Sequence, residues 1–294
     1  MQVIWSLIGL FIGALAVSFQ GGVHPVGDSL AVFRVGLCLA LLLLAATVRN
    51  GAFARLGIIS LSVIGIASAM WHKIPKSDPG PVTIYQKNVL HRNSELSSLA
   101  ADILATGPDF VTLQEVSVEG EALLRDLKAA YPYQVLCRYS PKSGVAVLSR
   151  IEPLDKGDCR QSYGKAMITV DLPTGRHHVA AIHMAWPFPG GQPAQFEQFF
   201  DDLRALEHPI LIGGDFNMVP WSHALRQVAR VSGTKHSTPA RTTFLIGSVP
   251  IAIDHVFAPG GGYVETRPLF GADHFGILAR VHAALQTSVR SNAN

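Results

Sequence analysis

A nine-residue run, Pro209-Ile210-Leu211-Ile212-Gly213-Gly214-Asp215-Phe216-Asn217, restricts the fold more than any other part of the chain. Ile210, Leu211 and Ile212 are apolar without alternation. That is the pattern of a strand covered on both faces, which requires layers of structure on either side. Gly213 and Gly214 are expected to let the backbone turn tightly where the strand stops. Asp215 and Asn217 then stand at a strand terminus, with Phe216 pointing the other way. An acid can bind a metal or activate water, and an amide can donate to a phosphate oxygen. Such a pair suits a phosphate-processing site and suits a core poorly.

The residues before position 75 add a second constraint. Of 294 residues, 48% are hydrophobic and 15% charged, against roughly 25% charged in an average soluble chain. The apolar surplus lies in three stretches, Val3 to Phe19, Leu30 to Val48 and Phe53 to Trp71. Each approaches the ~20 residues that cross a bilayer, and small residues run through all of them. Three membrane spans are therefore expected, with two spans or a buried soluble helical layer as the alternatives. The first has no basic start and no clear cleavage site, so it is expected to remain as an anchor. Arg34, near one end of the second stretch, is expected to snorkel toward the interface. Arg49 and Arg55 follow the second stretch, which puts that loop in the cytoplasm and everything after Trp71 outside. Lys73 and Lys76 pull the other way. A net charge of +3 gives no sign of a strongly basic nucleic-acid groove.

Cys38 lies inside a span, where a small packing residue is expected. Cys137 and Cys159 flank a strand of the polar part. Two unpaired thiols are the default expectation, with a disulfide open to them if that part is exported.

Pro75 through Pro81 reads as a linker. Strands and helices then alternate. Strands are expected at Val82–Val89, Phe110–Val116, Tyr133–Cys137, Gly144–Ser149, Ala166–Leu172, His178–Met184, Ile251–Ala258, Val264–Leu269 and Gly276–His282, besides the run above. Helices are expected after Asn93 or Ser94, at Glu119–Ala130 and Gln195–Leu206, and after a capping Ser222. Mixed connections of this kind suggest α/β layers with largely antiparallel sheets.

Polar residues gather at the strand ends: Asn88, Glu115, His183, Asp215, Asn217, Asp254, Asp273 and His274. Glu115 and Asp215 with Asn88 offer hard oxygen ligands suited to Mg²⁺ or Mn²⁺. His183 and His274 can donate to phosphate oxygens or carry protons. Asp254, in an otherwise apolar strand, could hold one imidazole in its working tautomer. His255 adjoins it and so faces the opposite side, where a structural role is expected. His177, His178, His208, His223 and His236 are expected at the surface. Trp186, Phe188 and Trp221 could wall the site, touch the bilayer or pack in the core.

These residues resemble the endonuclease/exonuclease/phosphatase superfamily, whose fold is that of DNase I. The matching pieces are Tyr85-Gln86-Lys87-Asn88-Val89, Leu113-Gln114-Glu115-Val116, His183, Gly214-Asp215-Phe216-Asn217, Ile253-Asp254-His255 and Asp273-His274. They occur in the family's order across residues 82 to 282. The resemblance implies an α/β four-layer sandwich of two mixed β-sheets flanked by helices, here preceded by about three transmembrane helices. It also implies a divalent-metal phosphoesterase. By that likeness Glu115 is the central metal ligand, Asn88 supports metal and phosphate, and Asp273 assists at the metal. Asp215 aligns or deprotonates the attacking water, and Asn217 fixes water and phosphate. His183 and His274 contact the scissile phosphate, and Asp254 orients His274.

Trp186-Pro187-Phe188 and Pro220-Trp221-Ser222 are similar to membrane-anchored bacterial members, including glycopeptide-resistance-associated membrane proteins. That subgroup implies a multi-pass protein of the bacterial cytoplasmic membrane with its catalytic domain outside. The organisation expected is an anchor at 1–74, a linker at 75–81, a catalytic domain at 82–285 and a disordered tail at 286–294. Two departures matter. Phe275-Gly276 follows His274 where many members carry a proline, and the Arg/Glu pair of DNase-type nucleases has no match. The function expected is a membrane-tethered, Mg²⁺-dependent phosphodiesterase or phosphatase acting on a lipid-linked phosphate or pyrophosphate. An exported nuclease is the alternative, with nucleic acid as a less favoured partner. A non-catalytic membrane-anchored binding module is the third possibility.

Overall fold

The computed structural model describes residues 2–48 and 51–285. The expected tail at 286–294 and the charge of Arg49 lie outside the described residues. Four helices open the chain: α1 (Gln2–Val17), α2 (Val26–Val32), α3 (Arg34–Thr47) and α4 (Ala52–Met70). A 3-10 turn, Trp71–Lys73, extends the last. The remainder runs β1 (Val82–Asn88), α5 (Leu96–Thr106), β2 (Phe110–Gln114), α6 (Glu121–Leu127), β3 (Tyr133–Ser140), β4 (Ser143–Ser149), β5 (Asp158–Arg160), β6 (Lys165–Leu172), β7 (Gly175–His183), α7 (Gln192–Arg204) and β8 (Ile210–Asp215). It ends with α8 (His223–Val231), β9 (Lys235–His236), β10 (Phe244–Ile246), β11 (Val249–Ile251), β12 (Asp254–Ala258), β13 (Gly262–Arg267) and β14 (Gly276–Val281).

Two mixed six-stranded sheets face each other, in the orders β13-β14-β1-β2-β4-β3 and β5-β6-β7-β8-β12-β9. One parallel pair sits in each, β1 with β2 and β7 with β8. Between the sheets lies an apolar layer that includes Ile84, Phe110, Val147, Ile168, Val179, Leu211 and Val256. The outer face of the first sheet buries Leu99, Ile103, Leu123 and Leu127 of α5 and α6. Phe196, Phe199, Leu225 and Val228 of α7 and α8 cover the second. The result is the α/β four-layer sandwich expected. Leu211 points into the central layer and Ile212 into the helix-covered one, which is why the run at 210–212 has no alternation.

Gly213 and Gly214 belong to β8 itself, which corrects the expectation of a tight turn. Neither has a positive φ. What excludes a side chain is a neighbour. A Cβ on Gly213 would lie 2.3 Å from Thr112 Oγ1 of the facing sheet, and one on Gly214 2.6 Å from the Ile182 carbonyl. The β10–β11 hairpin and the short β5 and β9 were not expected, because so few residues carry no periodicity.

Apolar helices form at all three stretches where spans were expected, and they differ in length. Among the described residues, one helix, Ala52–Lys73, is long and apolar enough to cross a membrane. The pair Val26–Val32 and Arg34–Thr47 would make a second if taken as one span, yet it is bent by 68°. Helix α1, at 16 residues, reaches only ~24 Å at 1.5 Å per residue, short of the ~30 Å hydrocarbon core. Hydropathy counts apolar residues and does not register where packing breaks a helix. Arg34 does not snorkel. It is buried, donates to the Ser18 hydroxyl and carbonyl and to the Ser68 hydroxyl, and stacks on Phe19.

These helices dock on the sandwich. Both Asp28 carboxylate oxygens accept from the first turn of α8, the backbone N–H groups of His223 and Ala224. Trp221 Nε1 donates to the Ala31 carbonyl, and the Ser29 hydroxyl donates to the Phe188 carbonyl. Cys137 and Cys159 form a disulfide joining β3 to β5, so the default of two free thiols is overturned. His177 is buried rather than at the surface, with its ring nitrogens on the Gly175 and Ala283 carbonyls.

Candidate active site

Strand register places the chemistry. His183 at the end of β7 pairs with Asp215 at the end of β8, and Asp215 pairs with Asp254 at the start of β12. Three titratable side chains therefore stand in one row. In the facing sheet Asn88 pairs with Gln114, so Glu115 follows immediately at the rim. The loop between β13 and β14 brings in Asp273 and His274. Glu115, His183, Asp215, Asn217, Asp273 and His274 all line one cavity of about 530 Å³, with Tyr139, Trp186 and Phe244. Asn88 and Asp254 are buried beneath it. All eight expected residues thus converge.

Two carboxylates directly opposite on neighbouring strands repel. Here His274 answers the repulsion: its Nδ1 donates to Asp254 Oδ2 at 2.8 Å, and its Nε2 lies 3.8 Å from Asp215 Oδ2. Burial opposes a charge on this imidazole, but Asp254 and Asp215 overcome it and hold the pKa at about 9. Burial would raise Asp254, and the His274 contact holds it below the usual range instead. Asp215 is raised, chiefly by burial. His183 Nε2 approaches the same Asp215 Oδ2 at 3.7 Å. Both imidazoles therefore present Nε2 to one point in the cavity.

Asn88 couples the acids. Its Nδ2 donates to Glu115 Oε1 at 3.1 Å and to Asp215 Oδ2 at 3.0 Å, while its Oδ1 accepts from Leu90 N. Burial acts to raise Glu115, but hydrogen bonds from Asn88 and His91 and the nearby His183 bring it below its usual range. Glu115 and Asn217 have φ of 56° and 47°, the left-handed region that ordinary residues avoid. Such strain concentrates at functional sites. Asn217 N donates to Asp215 Oδ1, and its Nδ2 donates to the Met184 carbonyl.

The donor set fits a divalent cation. Glu115, Asp215 and Asp273 line the cavity, and among its described lining residues there is no lysine or arginine to balance them. Hard carboxylate oxygens beside open volume suit Mg²⁺ or a similar ion. Asp215, Asp254 and His274 also form a compact group of potential ligands. In that group, however, Asp254 and His274 already satisfy each other.

Several supporting residues carry no sequence signal of their own. Gln86 Nε2 donates to Asp254 Oδ1, and Thr243 Oγ1 accepts from the Ile253 and Asp254 amides. Lys87 is wholly buried, and its Nζ donates to the carbonyls of Pro268, Leu269 and His274 beneath the loop that carries His274. Burial pushes its pKa down to about 8. Among the supporting residues only Lys87 left a cue, a charged side chain within a strand and next to Asn88. His255 behaves as alternation requires: it turns from the cavity, donates to the Met218 carbonyl and meets His236. Trp221 is part of the helix docking, and Trp186 walls the cavity.

A profile of the endonuclease/exonuclease/phosphatase family matches residues 86–274. No curated protein gives a significant match. Among solved structures, truncated TDP2 from Caenorhabditis elegans is similar at 18% identity and a TM-score of 0.55, over 67% of this chain and 96% of that one. A beta toxin variant from Staphylococcus aureus with bound magnesium ions shares 17% identity at a TM-score of 0.56, over 70% and 100%. Sphingomyelinase C from Streptomyces griseocarneus shares 17% at 0.52, over 68% and 99%. At these identities the likeness speaks for the fold.

Proposed function

The chain belongs to the endonuclease/exonuclease/phosphatase family, and from that premise we propose that it is a membrane-tethered, Mg²⁺-dependent phosphodiesterase or phosphatase. It is a hydrolase of phosphate esters that uses a divalent metal. The observation that carries the mechanism is the convergence of His183 Nε2 and His274 Nε2 on Asp215 Oδ2, with Asp254 behind His274.

Glu115 and Asp273 would hold the cation, supported by Asn88, and when bound it supplies positive charge to the phosphate. The remaining work falls to the side chains. Asp215, raised by burial, takes a proton from the attacking water as its oxygen bonds to phosphorus; the P–O bond on the opposite side breaks, and the leaving oxygen keeps the bonding pair and takes up a proton from solvent. Asn217, with one amide hydrogen on Met184, keeps its Oδ1 for that water. His274, charged through Asp254, donates from Nε2 to the phosphate, where negative charge grows. His183 donates from the other side.

Tethering is supported by the outer surface of the first helices, where Val3, Leu10, Leu43, Phe53 and Ile64 are each more than half exposed. Apolar patches of that extent mark an interface. Asp28 and Ala31 of α2 and Ala69 at the C-terminal end of α4 meet the sandwich, so Arg55, in the first turn of α4, falls on the opposite side. With Arg55 cytoplasmic, the catalytic domain is outside. The Cys137–Cys159 disulfide agrees with an oxidising compartment. On this proposal residues 1–74 are the anchor, 75–81 the linker and 82–285 the catalytic domain of a multi-pass bacterial membrane protein.

A lipid-linked phosphate or pyrophosphate suits the cavity better than nucleic acid. Its wall is Trp186 and Phe244, which touch, and no lysine or arginine among the described lining residues would follow a polyanion. The test uses full-length protein in detergent, offered a lipid pyrophosphate, supercoiled plasmid and a chromogenic phosphodiester, with Mg²⁺ and with chelator. Hydrolysis that survives both chelator and Asp215→Ala would sink the mechanism. Plasmid cleavage without lipid hydrolysis would reverse the substrate preference.

A further inference from the structure

The two cavity histidines are wired differently. His274 leans on a carboxylate, Asp254. His183 instead places Nδ1 2.7 Å from the Tyr139 hydroxyl, and that hydroxyl lies 2.8 Å from the Ser143 hydroxyl. Tyr139 and Ser143 belong to the β3–β4 hairpin of one sheet, and His183 to the other sheet. The β3–β4 register shifts between Arg138 and Ser140, so Tyr139 sits at an irregularity in the ladder. Bulges of this kind re-aim a side chain beside a site.

The direction of the chain of hydrogen bonds follows from its inner end. His183 Nε2 faces the Asp215 carboxylate at 3.7 Å. A lone pair there would oppose the negative oxygen, whereas an N–H dipole is attracted to it. A neutral imidazole with its proton on Nε2 has a bare Nδ1, which can only accept. Tyr139 must then donate to Nδ1, and its oxygen is left to accept from Ser143. Burial pushes the Tyr139 hydroxyl up to about 12, so the phenol keeps the proton that it donates.

We propose that Ser143 and Tyr139 are positioning residues that lock His183 in the Nε2–H tautomer, so that its Nε2–H points at the phosphate from the side opposite His274. A carboxylate at Nδ1 would favour the opposite tautomer. The assignment of donor to phosphate rests on the phosphoesterase function proposed above, but the tautomer itself does not.

The experiment is long-range ¹H–¹⁵N correlation of full-length, histidine-labelled protein in detergent, without substrate, with the His183 signals identified by their loss in His183→Gln. The expected result is an unprotonated, pyridine-like Nδ1 and a protonated Nε2. Tyr139→Phe keeps the ring and removes the donor. It should give a mixed tautomer and lower kcat about tenfold to a hundredfold, the range for removing a residue that orients a ligand histidine, with KM changed less than about twofold. Ser143→Ala should have a smaller effect in the same direction, and Ser143→Thr should restore the wild-type spectrum. A wild-type His183 protonated on Nδ1, or a Tyr139→Phe spectrum identical to wild type, overturns the proposal. If the protein cleaves no phosphoester but shows the Nε2–H tautomer, the function fails and the relay stands.

Discussion

Asp254→Asn removes one charge from the centre of the site and one hydrogen bond, the one that Gln86 Nε2 donates to Asp254 Oδ1. Asn keeps an acceptor for His274 Nδ1, which stands 2.8 Å from Asp254 Oδ2. The backbone N–H stays on Thr243 Oγ1. What is lost is the field that keeps His274 protonated. Its pKa of about 9 stands above the ordinary 6.5; a rise of ~2.5 units corresponds to about 3 kcal/mol. Burial works against the charge, so the two acids supply more than that between them, and Asp254 is the larger contributor. Its removal should lower the His274 pKa by ~1–2 units and reduce kcat by ~10²–10³, comparable to deleting one donor to a developing oxyanion. The sign follows from the charged form. Activity that needs the imidazolium is present below pH 9 and fades above it in the wild type. In Asp254→Asn that alkaline limb should move toward neutrality. The assay is kcat against pH with a chromogenic phosphodiester, together with thermal melting to establish that the variant is folded. A folded Asp254→Asn with more than about a third of wild-type kcat and an unmoved alkaline limb would refute the reasoning.

Three further outcomes are expected. Replacing both Cys137 and Cys159 by alanine opens a loop with a separation of 22 residues and should cost about 3 kcal/mol by loop-closure entropy, read as a lower urea midpoint; an unchanged midpoint would count against the bond. His255, buried and neutral, has its pKa pushed down to about 4 by burial. The unfolded chain, at ~6.5, binds the proton first, so stability is whole above ~6.5 and falls by about 3 kcal/mol as pH drops to 4. Melting curves should slope less steeply with pH in His255→Gln, and equal slopes would reject the assignment. Gly213→Ala puts a Cβ 2.3 Å from Thr112 Oγ1 and should destabilise by ~1–3 kcal/mol. Adding Thr112→Ala should recover part of the loss, and no recovery would show that the clash lies elsewhere.

What could be read without coordinates was local. Unbroken apolarity at Ile210–Ile212 marked a strand buried on both faces, and Leu211 and Ile212 do enter separate cores. Ser222 was expected to cap a helix, and its hydroxyl accepts from Leu225 N. Alternation sent His255 away from Asp254, and it is found on the Met218 carbonyl. The eight polar residues stand at or beside strand ends in the sequence, and the same strand ends carry them to one cavity. Each of these follows from the period of a strand or the unpaired amides of a helix start, properties carried by neighbours in the chain.

Other features had no such signature. Gly213 and Gly214 are glycines because the facing Thr112 and the adjacent Ile182 leave no room, not because the chain turns. Arg34 is held by Ser18 and Ser68, whose proximity depends on how the helices pack. Lys87 reads as an anomaly in a strand until the carbonyls of Pro268, Leu269 and His274 surround it. Tyr139 reaches His183 through a slip in the β3–β4 ladder. Neighbouring residues alone marked the longer strands, the Ser222 helix cap and the residue types of a phosphate-ester site, but not the short β5, β9, β10 and β11. Tertiary structure decided which of them meet, because register across sheets, close approach between layers and the ends of apolar helices arise from contacts between residues far apart in the chain.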